Sequence, residues 1–283
     1  MAEAIDAGLA VGRVDLSVAD LERSLQYYEQ DIGLATLERS GQEATLGAGD
    51  LALLKLREVP GARHIQRATG LYHFALRVPT RRDLARVIAH FVERRTTLDG
   101  ASDHLVSEAL YLSDPDGHGI EIYRDRPRSA WFDKNGRFQM DTLRLDVESI
   151  MRELQPDEPA WDGLPAGTDM GHIHLQVANI GAAEQFYLGV LGMERMINMP
   201  SASFVSAGGY HHHIGMNTWA GAGVPPPPEN AARLLAYELV LPDDSALSPV
   251  LDRVRAAELA IREGERGWEV RDPSHNLVVL RAS

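Results

Sequence analysis

The chain contains no cysteine. Disulfides, thiolate metal sites and cysteine nucleophiles are therefore excluded, and the absence fits a reducing, cytoplasmic setting. Long apolar runs are missing too. No window approaches about 18 uninterrupted apolar residues, so no membrane span is expected. The opening stretch MAEAIDAGLAVGRVDLSV has no basic segment leading into an apolar one, and a signal peptide is not expected either. Basic residues are in deficit, with 28 Lys and Arg against 41 Asp and Glu and a net charge of -13. An acidic surface repels phosphate backbones, so nucleic acid is not an expected partner. What is present is 283 residues, 44% of them hydrophobic and 24% charged. That suits a globular protein long enough for two ordinary domains.

The main organising feature is an internal repeat. Val14–Val18 alternates like a strand and runs into DLERSLQYYEQDIGL. Apolar residues there at Leu21, Leu25, Tyr28 and Ile32 have helical spacing, and Gly33 ends the helix. Strand-like stretches follow at Ala35–Glu38, Glu43–Leu46 and Leu51–Leu56, which makes the unit β-α-β-β-β. A second unit opens at His73–Val78, continues through a helix at Arg81–Arg94 and ends in a strand at Gly119–Tyr123. A third opens at His172–Val177, and its last strand is expected near His213–Asn217. A fourth opens at Tyr237–Leu241, with a helix near Leu247–Ala257 and a strand at Leu277–Arg281. The endings LSDPDGHGIEIY and VRDPSHNLVVLR share an Asp-Pro turn before the last strand. The expected fold is α+β: four βαβββ modules forming two cupped mixed β-sheet domains. The expected division is 8–126 (modules one and two), a linker at 127–168 whose middle, Asp141–Leu154, has a helical pattern, and 169–283 (modules three and four). VPPPPE at Val224–Glu229 reads as an extended spacer.

Ligand-type residues fall at matched places in the repeats. Aligned on the end of the first strand, the four units carry Arg13, His73, His172 and Ala236 at one position. Aligned on the glycine of the last turn, they carry Leu53, Glu121, His213 and Val279 at another. Units two and three thus hold ligand-type residues at both positions, and units one and four at neither. A lone strand histidine is usually structural. A carboxylate within the apolar run GIEIY is harder to accommodate, because on a buried face it needs a charged partner, a metal or a proton. If units two and three pair about a pseudo-two-fold axis, the four side chains converge. Imidazole with carboxylate suits Fe(II), Mn(II), Zn(II) or Ni(II), and two His plus one carboxylate with open positions opposite is the non-heme iron arrangement. In the run His211-His212-His213, strand alternation puts His211 and His213 on one side and His212 on the other. His64 and His90 have no such context and are expected at the surface. Phe74, Trp131, Phe204 and Trp219 are candidates for the walls of an apolar pocket.

With those residues in view, the repeat resembles the vicinal oxygen chelate superfamily, which includes glyoxalase I, extradiol ring-cleavage dioxygenases, and fosfomycin and bleomycin resistance proteins. The stretch His104-LVSEA-Leu110-Tyr111-LS-Asp114-Pro115-D-Gly117-HGI-Glu121 is similar to the extradiol dioxygenase signature, departing from it only at Ser102. GYHHHIGMNTWAG and DRPRSAW also look like the two-domain catechol-2,3-dioxygenase group. The resemblance implies a metal triad of His73, Glu121 and His172, with Fe(II) foremost. It implies that Tyr111 hydrogen-bonds a bound aromatic diol and that His104 lines the site. It places the acid/base histidine at His213 or its face-mate His211, and leaves open whether His213 is also a metal ligand. Dioxygen would be the second substrate. In the familiar extradiol enzymes the triad lies in the C-terminal half, whereas here its residues are split between the halves. Unit two must then pair with unit three and unit one with unit four, within one chain or by a swap between chains. Two other readings stand beside ring cleavage. One is a glyoxalase-type lyase or isomerase with His213 as fourth ligand, and the other is a small-molecule binding protein without turnover. Exposed strand edges leave room for a homo-oligomer.

Overall fold

The computed structural model describes residues 3–283. Each unit folds as one strand, one helix and three strands. Unit one is β1 (Ala10–Val18), α1 (Leu21–Tyr27), β2 (Ala35–Ser40), β3 (Glu43–Ala48) and β4 (Leu51–Glu58). Unit two is β5 (Gly70–Arg77), α2 (Arg81–Arg94), β6 (Gly100–Asp103), β7 (Ser107–Ser113) and β8 (Gly119–Asp125). The connection contributes β9 (Leu143–Arg144) and α3 (Val147–Met151). Unit three is β10 (Asp169–Gln176), α4 (Ile180–Glu184), β11 (Glu194–Met199), β12 (Ala202–Ser206) and β13 (Ile214–Asn217). Unit four is β14 (Leu234–Leu241), α5 (Asp244–Ala256), β15 (Ile261–Gly264), β16 (Gly267–Arg271) and β17 (Leu277–Ala282).

Local chemistry explains the helix limits. Thr80 and Asp83 form a reciprocal capping box at the start of α2. Asp20, Asn179 and Asp243 each accept a hydrogen bond from a backbone N–H in the first turn of α1, α4 and α5. Beyond α1 and α4 the chain widens into π-turns, and Gly33 (φ 87°) and Gly192 (φ 83°) follow them in the left-handed region. The helical pattern of Asp141–Leu154 yields only the short α3, because Leu143–Arg144 pairs with β6 as a ninth strand.

The sheets combine units across the chain. One has eight strands in the order β15-β16-β17-β14-β1-β4-β3-β2, and the other has nine in the order β11-β12-β13-β10-β5-β8-β7-β6-β9. Unit one therefore pairs with unit four and unit two with unit three, within a single chain, as the split triad requires. Each sheet draws one unit from 8–126 and one from 169–283, so that division of the chain does not coincide with the division into sheets. The joints are antiparallel: β1 against β14, and β5 against β10. Neither sheet closes into a barrel.

Alternation sorts the side chains. Phe74 and Leu76 of β5, Ile173 and Leu175 of β10, and Val14 and Leu16 of β1 join the helices' apolar faces in one continuous core. Each such buried side chain contributes about 1.5–3 kcal/mol. His73, Ala75, His172 and His174 stand on the opposite face, which forms the cup. His90, expected at the surface, is buried instead. It stacks on Trp161 at 4.3 Å, and its Nε2–H donates to the Gln30 carbonyl at 2.9 Å. Among the described residues no helix is long and apolar enough to cross a membrane.

Candidate metal centre

The β5–β10 joint and the neighbouring β8 assemble the triad. His174 lies opposite His73 and His172 opposite Ala75 across the antiparallel joint, while Glu121 lies beside Ala75 on the parallel β8. The short diagonal steps bring three side chains together. Glu121 Oε2 is 2.9 Å from His172 Nε2 and 3.1 Å from His73 Nε2. All three residues are buried, and they form a group of ligand atoms lying within 4.8 Å of one another.

The site fits a divalent cation on its own evidence. His73 Nε2 is buried and makes no hydrogen bond, although the carboxylate is close. A buried acceptor without a partner is costly, and a cation among the three groups would satisfy it. Burial pushes the Glu121 carboxyl up, but the His172 and His73 imidazoles outweigh burial and hold it well below the usual carboxylate range. Burial lowers His172 to about 4 against the pull of Glu121, which leaves its imidazole neutral. An ionised carboxylate and neutral imidazoles are the forms that bind metal. His73, Glu121 and His172 are thus a metal-binding triad.

Tyr111 and His104 sit beside it. Tyr111 is the cross-strand neighbour of Glu121. His104 Nδ1 is 2.8 Å from the Asp141 carbonyl, which can only accept, so Nδ1 carries the proton. Tyr111 O–H then donates to His104 Nε2 at 2.7 Å. The long connection thereby fixes the tautomer of a site histidine.

The triple histidine is arranged differently from the expectation. Strand β13 begins only at Ile214, so strand alternation does not govern residues 211–213. His213 turns away from the triad. Its Nδ1 accepts from the Ala207 N–H at 3.2 Å and lies 3.1 Å from Ser206 Oγ, and its ring packs on Tyr210 at 4.9 Å. Burial lowers it to about 3, with the His211, Arg77 and His172 charges acting the same way. Register does not make His213 the repeat equivalent of Glu121. Ile173 pairs with Ile214 and His174 with Gly215, as Phe74 pairs with Ile120 and Ala75 with Glu121. The third-unit equivalent of Glu121 is therefore Gly215, two residues beyond His213. A Cβ at Gly215 would stand 2.8 Å from His174 Cγ, so the glycine makes room for that ring. The same register makes Lys55, not Leu53, the first-unit equivalent, because Asp15 pairs with Lys55.

His211 joins a chain instead. Its Nε2–H donates to Asp125 Oδ1 at 2.8 Å, and its Nδ1 lies 2.9 Å from His212 Nδ1. Burial raises the Asp125 carboxyl, but His211 and Arg77 outweigh it, so the carboxylate is ionised and only accepts. With a neutral His211, its Nδ1 accepts from His212 Nδ1–H, leaving His212 Nε2 as an acceptor. The His212 ring is 4.1 Å from that of His172.

A cavity of about 370 Å³ opens on His73 and Glu121 of the triad. His73, Glu121, His104, Tyr111, His174 and His212 are part of its polar lining, with Asp141 beside them. Trp219 and Phe204 line it as expected, with Tyr72, Met199 and Ile197. Tyr72 and Trp219 meet edge to face at 5.1 Å. Phe74 belongs to the core, and Trp131 to a separate cluster with Val106 and Tyr210. Sequence reasoning missed His174 and His212. His174 was accessible, since it lies two residues from His172 on the same strand face. Its Nε2 accepts from Asn217 Nδ2 at 3.1 Å.

Residues 10–122 match the model of the Glyoxalase/Bleomycin resistance protein/Dioxygenase superfamily. The chain is 45% identical over 269 residues, 93% of each chain, to a catechol-2,3-dioxygenase from Bacillus subtilis (strain 168). Among solved structures, glyoxalase I from Zea mays aligns over 96% of this chain and 92% of its own, with a TM-score of 0.58 at 15% identity. The cppA protein from Streptococcus pneumoniae TIGR4 aligns over 96% of this chain and all of its own, 100%, with a TM-score of 0.56 at 9% identity. Those structures share the fold. Repeat, triad and the extended sequence identity together make this chain a member of the glyoxalase/bleomycin resistance protein/dioxygenase superfamily.

Proposed function

We propose that the protein is an extradiol ring-cleavage dioxygenase, inserting both atoms of dioxygen into a catechol-type diol at a mononuclear Fe(II) centre. The observation that carries this reading is the triad of two imidazoles and one carboxylate, of which His73 and Glu121 line a cavity that also presents Tyr111 and His104. The extended identity to a catechol-2,3-dioxygenase supports it. Trp219, Tyr72, Phe204 and Met199 give the cavity flat apolar walls, and no lysine or arginine lines it. That suits an uncharged aromatic ring, since nothing there compensates a desolvated carboxylate.

His73, His172 and Glu121 would hold the metal. When bound, it lowers the pKa of the diol and links the electron-rich ring to dioxygen. His212 Nε2 accepts a proton from the diol, the role that sequence reasoning gave to His213 or His211. The proton on His212 Nδ1 is held toward His211, and His211 is held by Asp125, so the accepting nitrogen stays aimed at the substrate. Tyr111, its proton held by His104, orients the diol by accepting from a diol O–H at its hydroxyl oxygen. The apolar walls keep water from the ring.

Anaerobic loading with Fe(II), followed by oxygen-electrode assays on catechol, tests the reading. Oxygen uptake with formation of a yellow semialdehyde is expected, and His73→Ala should lose both metal and uptake. Absence of uptake by the iron-loaded protein, with turnover of a glutathione hemithioacetal by the zinc- or nickel-loaded one, would favour the isomerase reading. Gly215, at the register position equivalent to Glu121, supports ring cleavage over that reading. Fe(II) over Mn(II) is decided by the metal that restores uptake.

A further inference from the structure

The second cup, built by units one and four, has the same geometry with opposite charge. At the four positions where the metal cup has His73, His172, Glu121 and Gly215, this one has Arg13, Ala236, Lys55 and Val279. The three metal ligands are thus replaced by two cations and one inert side chain, and the glycine by a valine. A cavity of about 260 Å³ occupies this cup, and both Lys55 and Ala236 line it. Its lining holds five cationic side chains against two carboxylates, Asp15 and Glu43. That excess is formed in a protein whose net charge is -13.

The carboxylates present are already engaged. Asp15 and Glu238 hold Arg266, with contacts of 2.5 Å each, and Glu43 holds Lys55 at 2.7 Å. Arg57, Arg233 and Arg271 enter no ion pair among the described residues. Arg271 only donates to the His275 carbonyl at 2.8 Å. Arg233 Nε is buried without any hydrogen-bond partner, a cost that native structures rarely leave unmet. Burial lowers the pKa of Arg233, and the charges of Arg271 and Arg57 act in the same direction against Glu229. Three guanidinium groups close enough to repel one another, one with an orphaned donor, are thus without an ion-pair partner among the described residues.

We propose that this cup binds a small organic or inorganic oxyanion, a carboxylate or phosphate group held by Arg233, Arg57 and Arg271. Guanidinium forks match such groups with paired, charge-assisted hydrogen bonds. The fold would then hold a cation in one cup and an anion in the other. The site lies on the other sheet from the metal centre and does not depend on the ring-cleavage reading.

Calorimetric titration of the full-length protein, at constant ionic strength set with chloride, tests this. Sodium phosphate and sodium succinate serve as separate probes, before and after the metal is removed by a chelator. One saturable site per chain is expected for at least one probe, unchanged by metal removal. Phosphate alone or succinate alone would identify which group is preferred. Arg271→Gln, at an exposed position, and Arg233→Gln should each weaken binding roughly tenfold or more, with oxygen uptake on catechol unaltered. The inference is overturned by absence of saturable binding of either anion, by binding that survives both substitutions, or by binding that disappears with the metal or is displaced by catechol.

Discussion

Tyr111 and His104 show how much of the centre depends on single atoms. The Tyr111 hydroxyl gives its one proton to His104 Nε2, and its position beside Glu121 keeps it at the mouth of the triad. Burial, followed by the Glu121 charge, raises its pKa well above the ordinary phenol value, so it stays a neutral phenol whose oxygen can accept from the diol. Tyr111→Phe removes that hydroxyl while keeping the ring. A neutral hydrogen bond contributes about 0.5–1.5 kcal/mol, so kcat/KM for catechol should fall by roughly two- to tenfold. Metal content should stay stoichiometric, because Tyr111 is not a ligand. Steady-state oxygen uptake together with metal analysis would check both. A fall in metal content equal to the fall in activity would instead give the side chain a structural role. The triad itself was legible in the sequence because an acid in an apolar strand and two strand histidines at matched repeat positions are chemically expensive. The fourth position was not. Aligning repeats on a turn glycine ignores turn length, and the slip of two residues exchanged Gly215 for His213. The triple histidine misled for a related reason, since alternation applies only inside a strand and β13 starts after the run.

At the level of elements, the helices and strands were read well where periodicity is long and capped, as in α2, whose ends coincide with the expected Arg81–Arg94. The connection was read poorly, because its short segments have no repeating pattern and are shaped by what they pack on. Glu108 of β7 explains much of that packing. It is buried, and it receives Arg81 from α2 at 2.9 Å, Arg124 from β8 at 2.6 Å and Arg126 at 3.2 Å. Arg81 also donates to the Ser149 carbonyl in α3 at 3.0 Å, so one carboxylate ties the connection to the sheet. Burial alone would raise the Glu108 carboxyl, but the three guanidinium groups outweigh it and hold the carboxyl below its ordinary value of 4.5. A depressed folded-state pKa means that the stabilisation is complete above the unfolded value and is lost as pH falls through the folded one. Glu108→Gln leaves the cations without their carboxylate and should cost about 3–5 kcal/mol near neutral pH. Denaturant titrations of both proteins should show the difference constant above the ordinary carboxylate range and shrinking below it. A gap that widens on acidification would contradict this account.

For the whole molecule, the consequence of the strand order is that neither half of the chain is self-sufficient. β5 and β8 carry His73 and Glu121, but their cup is completed by β10 with His172 from beyond the 127–168 connection. The first sheet has the same dependence, through β1 and β14. A fragment ending near Gly136, in the exposed turn between Asp133 and Arg137, would expose the apolar edges of β1 and β5 and hold two of the three metal ligands. The complementary fragment would hold one. Loss of a tridentate site is expected to abolish tight binding, since affinity depends on all ligands converging. Neither fragment alone should show a cooperative thermal transition or retain iron after gel filtration. Mixed at equal concentration, they should recover both, at a midpoint that rises with protein concentration as for any association that couples folding to binding. If the N-terminal fragment folded cooperatively on its own, sequential pairing of units one and two would be available to this chain. The joints at β1–β14 and β5–β10 would then be a choice made by the intact protein and not a necessity of its sequence.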